Sequence, residues 1–383
     1  MTYRLFLQAV LWSVFGLGPL GVATARFAAA LPQSDSPDEE ISIAVAGDVL
    51  PESPWRGSQD AAHFLDAMRN EFLRADLVFV NLEEPITSSE IQTAYKKPED
   101  LASNRDYILR ARNSGLPGLM KQAGVGLVGL ANNHMLDYTE AGLQDTLNAF
   151  QAAGLPTVGA GLKSQAERPY VFEKRGQRVA LLAFSDVVPI HAAATATQPG
   201  VASSKLDRDL IAAIQRARRE TALVVLLIHW GGQGERLITP RQRHVGCLAA
   251  QAGCAAVVGD HPHVLQGIEY VGRVPVFYSA GNFAYASHRP ASQEAILVRL
   301  IADRGNLRRV ELVPIVISPM GAPRVAEEAR ARKVLARVDK LCRMFNTRVR
   351  EGKLVASVPR EPLVYDRSGT LPYRAGGAKE TPK

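Results

Sequence analysis

The chain has 383 residues, 46% of them hydrophobic and 22% charged, with a formal net charge of +7. That composition excludes disorder of the whole and allows one large α/β core or a core with an appended lobe. The positive balance suits polyanions, but the basic residues are dispersed and no basic run carries interleaved aromatics, so nucleic acid is not an expected partner.

At the amino terminus Arg4 precedes an uncharged, largely apolar stretch from Leu5 to about Ala25, followed by small residues, the pattern of an export signal. Ala28-Ala29-Ala30 and Ala23-Thr24-Ala25 offer cleavage sites, and the reading favours cleavage. An uncleaved membrane anchor is the alternative, because about 20 such residues just span a bilayer. The expected organisation is a signal peptide over 1–30, a linker over 31–40, a main domain over 41–318, a helical extension over 319–364 and a disordered tail over 365–383. Loss of Arg4 and Arg26 with the signal lowers the charge from +7 to +5. The protein is expected to be exported, either periplasmic or secreted. Cys247, Cys254 and Cys342 have neither disulfide-framework nor zinc-finger spacing and read as core packing.

In chain order, Ile41 to Ala46 is a β-rich run stopped by Gly47-Asp48, and a carboxylate after a first buried strand is a usual ligand address in an open α/β sheet. His63 to Arg74 has helical periodicity. Leu77 to Val80 is a second strand, ending in Asn81-Leu82-Glu83-Glu84. Adjacent carboxylates there repel unless one binds a cation or is exposed; Glu83 is the expected ligand, with Glu84 left to solvent. Residues 88–103 read as a loop over the site, with Lys96 and Lys97 available to an anionic substrate. After a helix ending at Ala123, Val125 to Leu130 is a third strand running into Asn132-Asn133-His134 and Asp137. An amide oxygen is a neutral metal ligand and the adjoining His can serve as acid or oxyanion partner.

Thr139 to Ala153 is an amphipathic helix, Val171 to Lys174 with Arg178 to Phe184 a hairpin, and Ile190 to Ser204 a mobile loop. Leu206 to Arg219 is helical. Ala222 to Ile228 is the most apolar strand and ends in His229-Trp230-Gly231. Pro240 to Ala252 is helical, and the short strand Ala255 to Val258 ends at Gly259, which permits a sharp exit into Asp260-His261-Pro262-His263. Pro262 is expected to hold the backbone extended so that one stiff turn presents two imidazoles. A further hairpin closes at Ser279 to Phe283, where Asn282 is either a pocket-lining donor or a turn residue. Two strands, Ala295 to Ile301 and Arg308 to Ile317, precede a docking helix spanning Val325 to Val349.

Polar clusters therefore recur at strand ends, at Asp48, Asn81 to Glu83, Asn133-His134, His229 and His261 to His263, and in a wound sheet such ends converge. Carboxylate, imidazole and amide without thiolate suit Mn, Fe or Zn, as one or two ions. In order, Gly47-Asp48, Asn81-Leu82-Glu83, Asn132-Asn133-His134 with Asp137-Tyr138, His229-Trp230-Gly231, Gly259 to Val264 and Ser279 to Phe283 resemble the CapA family of poly-γ-glutamate capsule proteins over roughly residues 41–286.

The resemblance implies an α/β fold of calcineurin-like metallophosphoesterase type, a β-sandwich flanked by helices, with a dinuclear metal centre. It implies one metal on Asp48 and His263, another on Asn133, His229 and His261, and Glu83, or alternatively Asn81, between them. It sets His134 before the scissile group as acid or charge stabiliser. His134 and Asp137 are the expected catalytic residues, and Asn81, Asn132, Asn282 and Lys97 are expected against substrate. The implied partners are an anionic polymer such as poly-γ-glutamate and membrane proteins of capsule synthesis. The implied function is metal-dependent hydrolysis or transfer, with non-catalytic polymer binding as the alternative. Leu50 stands where metallophosphoesterases place a His, Asp260 where CapA-like sequences often carry one, and Gly232 to Glu235 departs from the usual pattern.

Overall fold

A computed structural model describes residues 40–52, 63–103, 106–345 and 347–356. The expected signal peptide, the linker apart from residue 40, and the tail from 365 lie outside them. No helix among the described residues is long and apolar enough to cross a membrane.

Two mixed sheets carry the fold. In the first, the parallel strands Ile41–Leu50, Leu77–Leu82, Leu127–Gly129 and Thr157–Val158 lie side by side. It continues past Ile41–Leu50 through Glu294–Asp303 and Asn306–Ile317, both antiparallel to their neighbours. The second sheet has Val274–Phe277, Ala256–Asp260, Leu223–His229 and Gln177–Ser185 in parallel, with Ile268–Val271 and Tyr170–Lys174 antiparallel at its edges.

The strand Leu223–His229 is buried along its whole length, and its period-2 alternation divides it between two cores. Leu223, Val225 and Leu227 join Ile43, Val45, Phe79 and Leu127 of the first sheet. Val224, Leu226 and Ile228 pack instead with Leu210, Ile214 and Val245 of the helices Asp207–Glu220 and Pro240–Ala252. The result is a sheet-on-sheet sandwich flanked by helices, each fully buried aliphatic side chain contributing about 1.5–3 kcal/mol.

Local chemistry sets the helix ends. Thr239 accepts from Gln242 N at 3.1 Å while the Gln242 side chain accepts from Thr239 N at 2.9 Å, Pro240 opens the first turn, and Gly253 closes the helix at φ 116°. The segment 63–74 is a 3-10 turn, Asp66–Met68, and a single α-turn, Arg69–Phe72, rather than one helix. The loop expected to be mobile at 190–204 is tied down by pairing of Gly200–Val201 with Ala160–Gly161.

The terminal helix is shorter than its periodicity predicts, Glu328–Cys342, buried through Val334, Val338 and Cys342. Arg330 and Arg337 clasp Glu294 at 2.8 and 3.0 Å. Asp339 then accepts from Arg348 Nε and Val349 N at 2.9 and 3.0 Å, which turns the chain back into the strand Thr347–Arg350 at the edge of the first sheet.

Register aligns the polar strand ends. Asp48 pairs with Asn81 and with Asn282, and His229 pairs with Asp260 and Ser185. The first strand shifts register between Val45 and Asp48, a bulge of the kind that re-aims a side chain beside a site. A Cβ on Gly47 would lie 2.0 Å from Gly281 O, so only glycine admits this approach.

Candidate metal centre

Each sheet delivers one half of a buried cluster. Asp48 lies near the end of Ile41–Leu50, which runs on through the expected stop at Gly47-Asp48, and Glu83 and Asn133 follow strands of the same first sheet; His229, His261 and His263 end or follow strands of the second. One ligand atom each of Asp48, Glu83 and His263 lie within 4.8 Å of one another, as do those of Glu83, His229 and His261. Glu83 is common to both groups. Asn133 Oδ1 stands 2.7 Å from His229 Nε2, which places it with the second group.

The imidazoles are aimed by their far nitrogens. His229 Nδ1 is 2.9 Å from Asp260 Oδ1, and His263 Nδ1 is 2.8 Å from Asn282 Oδ1, so Nε2 of each turns toward Glu83 Oε1, at 3.5 and 3.7 Å. His261 donates its backbone N–H to Asp48 Oδ2 at 3.1 Å. The His-Pro-His turn is not extended: His261 and His263 have φ of 87° and 56°, left-handed positions that cost about 1–3 kcal/mol each outside glycine. Nor does Gly259 provide a sharp exit. The strand runs on to Asp260, and Gly259 leaves room for the Trp230 indole, 2.2 Å from where a Cβ would be, to donate to Tyr278 O.

The asparagines form a scaffold behind the ligands. Asn81 donates to Asp48 Oδ1 at 2.8 Å, and Asn132 donates to Asn81 Oδ1 at 3.1 Å and to Leu82 O at 2.7 Å while accepting from His134 N. Asn282 donates to Ser292 O at 3.1 Å. All three are buried, with their polar atoms engaged by the protein itself rather than turned to a substrate.

His134 Nδ1 lies 2.8 Å from Asp137 Oδ2 and 3.1 Å from Lys96 Nζ. Lys96 is buried and reaches Asp137 at 2.7 Å, Asp106 at 3.2 Å and Tyr107 O at 2.5 Å, so its ammonium group is held by the protein itself. Asp137 also accepts from Leu109 N at 2.7 Å. Lys97 is exposed and, like Lys96, lines a cleft of about 690 Å³ together with Tyr95, Asn133, Asp186 and Arg241. Glu84 is not solvated: it is fully buried and accepts from Glu52 N at 2.8 Å.

Burial, reinforced by the charges of Asp48 and Asp260, pushes the Glu83 carboxyl well above the ordinary carboxylate range. Burial and the Asp48 charge do the same to Asp260. Burial opposes ionisation of Asp48 too, but the hydrogen bond from His263 and the charge of His229 outweigh it and leave Asp48 below its ordinary value. Burial lowers His229 to about 3 and His261 well below the usual imidazole value. Burial and then Lys96 lower His134.

These residues fit a divalent cation. Both carboxylate oxygens of Glu83, and Nδ1 of His261, are buried without a hydrogen-bond partner. His229 is held neutral, and its Nε2 stands 2.7 Å from Asn133 Oδ1 and 3.5 Å from Glu83 Oε1. A cation on the Nε2 side would gather these atoms, and the donor set of carboxylate, imidazole and amide oxygen suits Mn, Fe or Zn.

Residues 42–287 match the family model described as "Bacterial capsule synthesis protein PGA_cap". The chain belongs to that family. Among relatives of the PGA_cap chain, the PGA biosynthesis protein CapA of Bacillus subtilis (strain 168) is 27% identical over 84% of this chain and 83% of its own length. The capsule biosynthesis protein CapA of Bacillus anthracis is 29% identical over 79% and 74%. The chain is also similar in part to a putative 5'-nucleotidase of Staphylococcus aureus, solved with α-ketoglutarate, and to the NAD nucleotidase of Haemophilus influenzae. Their TM-scores are 0.46 and 0.42 at 12% and 11% identity over 79% of this chain, which spans 58% and 56% of theirs. Similarity that low says nothing of substrate.

Within the PGA_cap segment, Leu50 is fully buried and adds no ligand beside Asp48, while Glu235 is exposed. Sequence reasoning left Asp260 out of the site and gave Lys96 a substrate-facing place beside Lys97, where the structure buries it against Asp137. Asp260 carried a signal, a carboxylate between a strand-end glycine and the first His of the turn; Lys96 is indistinguishable from Lys97 without coordinates. His229→Ala and His261→Ala are each expected to lower bound divalent metal by about tenfold or more, read by elemental analysis after dialysis. Full occupancy in both variants rules out the second ligand group.

Proposed function

We propose that the chain is an exported metal-dependent hydrolase or transferase acting on poly-γ-glutamate or a related anionic capsule polymer. The observation that carries this reading is Glu83, a fully buried carboxylate without a hydrogen-bond partner, shared by two ligand groups. Asp48, Glu83 and His263 would hold one cation, and Glu83, Asn133, His229 and His261 another. A divalent cation so held polarises an acidic oxyanion and makes water more acidic.

The chain's own residues supply the rest. Asp137 accepts the Nδ1 proton of His134, which leaves Nε2 of a neutral imidazole as a proton acceptor. Lys96 offsets the charge of Asp137 and ties its own segment, 88–103, beside it. Asn133 lines both the ligand group and the cleft, so a substrate in the cleft meets the centre there. Lys97, exposed on the cleft wall, is placed to meet a carboxylate of the polymer. Export rests on the Arg4 to Ala30 pattern.

Turnover of γ-glutamyl polymer and of a generic phosphoester, by wild type and His261→Ala with and without chelator, tests the proposal. Metal-dependent turnover lost in the variant supports an enzyme. Polymer binding without turnover at any metal loading supports the second reading, a polymer-binding or tethering accessory protein. One observation favours that second reading: Leu50 leaves the Asp48 and His263 group short of a ligand. Under either reading Lys97→Glu is expected to weaken polymer binding about fivefold at low salt, the equivalent of about 1 kcal/mol, with the loss shrinking as salt rises. A salt-independent or absent effect removes Lys97 from the polymer path.

A further inference from the structure

We propose that Asp260 is the positioning residue that fixes the tautomer of His229 and thereby sets the affinity of the second ligand group for a divalent cation. The inference rests on the metal-centre reading above and adds to it a residue outside both ligand groups that share Glu83.

Asp260 is the last residue of Ala256–Asp260 and pairs directly with His229 across the parallel strands, so the backbone register itself brings the two side chains together. Its Oδ1 is 2.9 Å from His229 Nδ1, and no Lys or Arg ion pair to it occurs among the described residues. Its Oδ2 is buried without a hydrogen-bond partner. A buried carboxylate with no cation beside it is costly, and a purely structural end to this strand is met as well by an amide or a hydroxyl.

The Nδ1 side of His229 is not itself a place for a cation, although Asp48, His229 and Asp260 lie close enough to suggest one. Asn81 Nδ2 stands there, 2.8 Å from Asp48 Oδ1 and 3.4 Å from His229 Nδ1. The ligand side is Nε2, where Asn133 Oδ1 and Glu83 Oε1 converge at 2.7 and 3.5 Å. With a cation held on the Nε2 side, Asp260 would accept the Nδ1 proton and keep the Nε2 lone pair turned to the ion.

The test is calorimetric titration of the full chain with Co²⁺, together with the hyperfine-shifted ring N–H signals of the Co²⁺-loaded protein. Asp260→Ala is expected to bind Co²⁺ about 10- to 100-fold more weakly than wild type and to lose the His229 Nδ1–H signal to solvent exchange. Asp260→Asn, which keeps the volume but offers a weaker acceptor, is expected to lose at least about fivefold, and it carries the comparison if the alanine variant does not fold. Variants that bind within twofold of wild type and keep the signal overturn the assignment. A wild type that takes up no Co²⁺ overturns the metal centre itself, and this assignment with it.

Discussion

Glu83→Gln is expected to make the metal-free protein more stable and the metal-loaded protein less so. In the metal-free state the carboxylate is buried without a hydrogen-bond partner, and its neutral isostere removes a desolvation cost of about 1–3 kcal/mol. The sign with pH follows from linkage. The folded-state pKa of Glu83 is raised above 4.5, so the folded chain holds more protons than the unfolded one above that pH, and wild-type stability falls as pH rises toward the folded value. In chelator the advantage of the variant therefore grows with pH above about 4.5 and levels off beyond the folded pKa. With metal the order reverses. Saturating metal at about 100 times its Kd adds about 2.7 kcal/mol to wild type, and a variant lacking the shared ligand forfeits most of it. Thermal unfolding in chelator and in Mn²⁺ reads both halves, and an equal Mn²⁺-induced rise in Tm for the two proteins would show that Glu83 is not a ligand.

The second large effect is expected at Lys96. Its ammonium group is the cation placed against Asp137, and both side chains are buried, with 3% and 1% of their surface exposed. Lys96→Met leaves that carboxylate with the hydrogen bonds of His134 and Leu109 N but without its lysine, and loss of one partner of a buried pair costs about 3–5 kcal/mol. Adding Asp137→Asn removes the stranded charge, so the double variant is expected to regain part of the loss. Urea unfolding measures both, and a single-variant cost below about 1 kcal/mol would mean that water reaches the pair.

Much of the core and of the ligand cluster was legible in the sequence because both depend on local patterns. Continuous apolar runs such as Leu223 to Ile228 mark strands buried on both faces, and each ends at the residue its register then aligns, Asp48 with Asn81 and His229 with Asp260. What escaped depends on contacts between distant segments. Nothing local to Val325 to Val349 announces that Asp339 will capture Arg348 and turn the chain back into a strand. Lys96 and Lys97 are chemically identical, and only the position of Asp137 decides which is buried. Asn81, Asn132 and Asn282 could equally donate to a substrate or brace a ligand, since an amide does both. The turn at His261 and His263 was misjudged because the fixed φ of Pro262 says nothing about its neighbours, whose left-handed φ values are compatible with the hold of Asp48 on His261 N.

Because half of the cluster hangs from each sheet, an ion gripped there would rivet the two halves of the sandwich at one rim. Its removal would then be felt beyond the cleft, as slippage along the seam. Amide protons at the carboxyl ends of Ile41–Leu50 and Leu223–His229 should begin exchanging together, although the two strands lie far apart in the sequence.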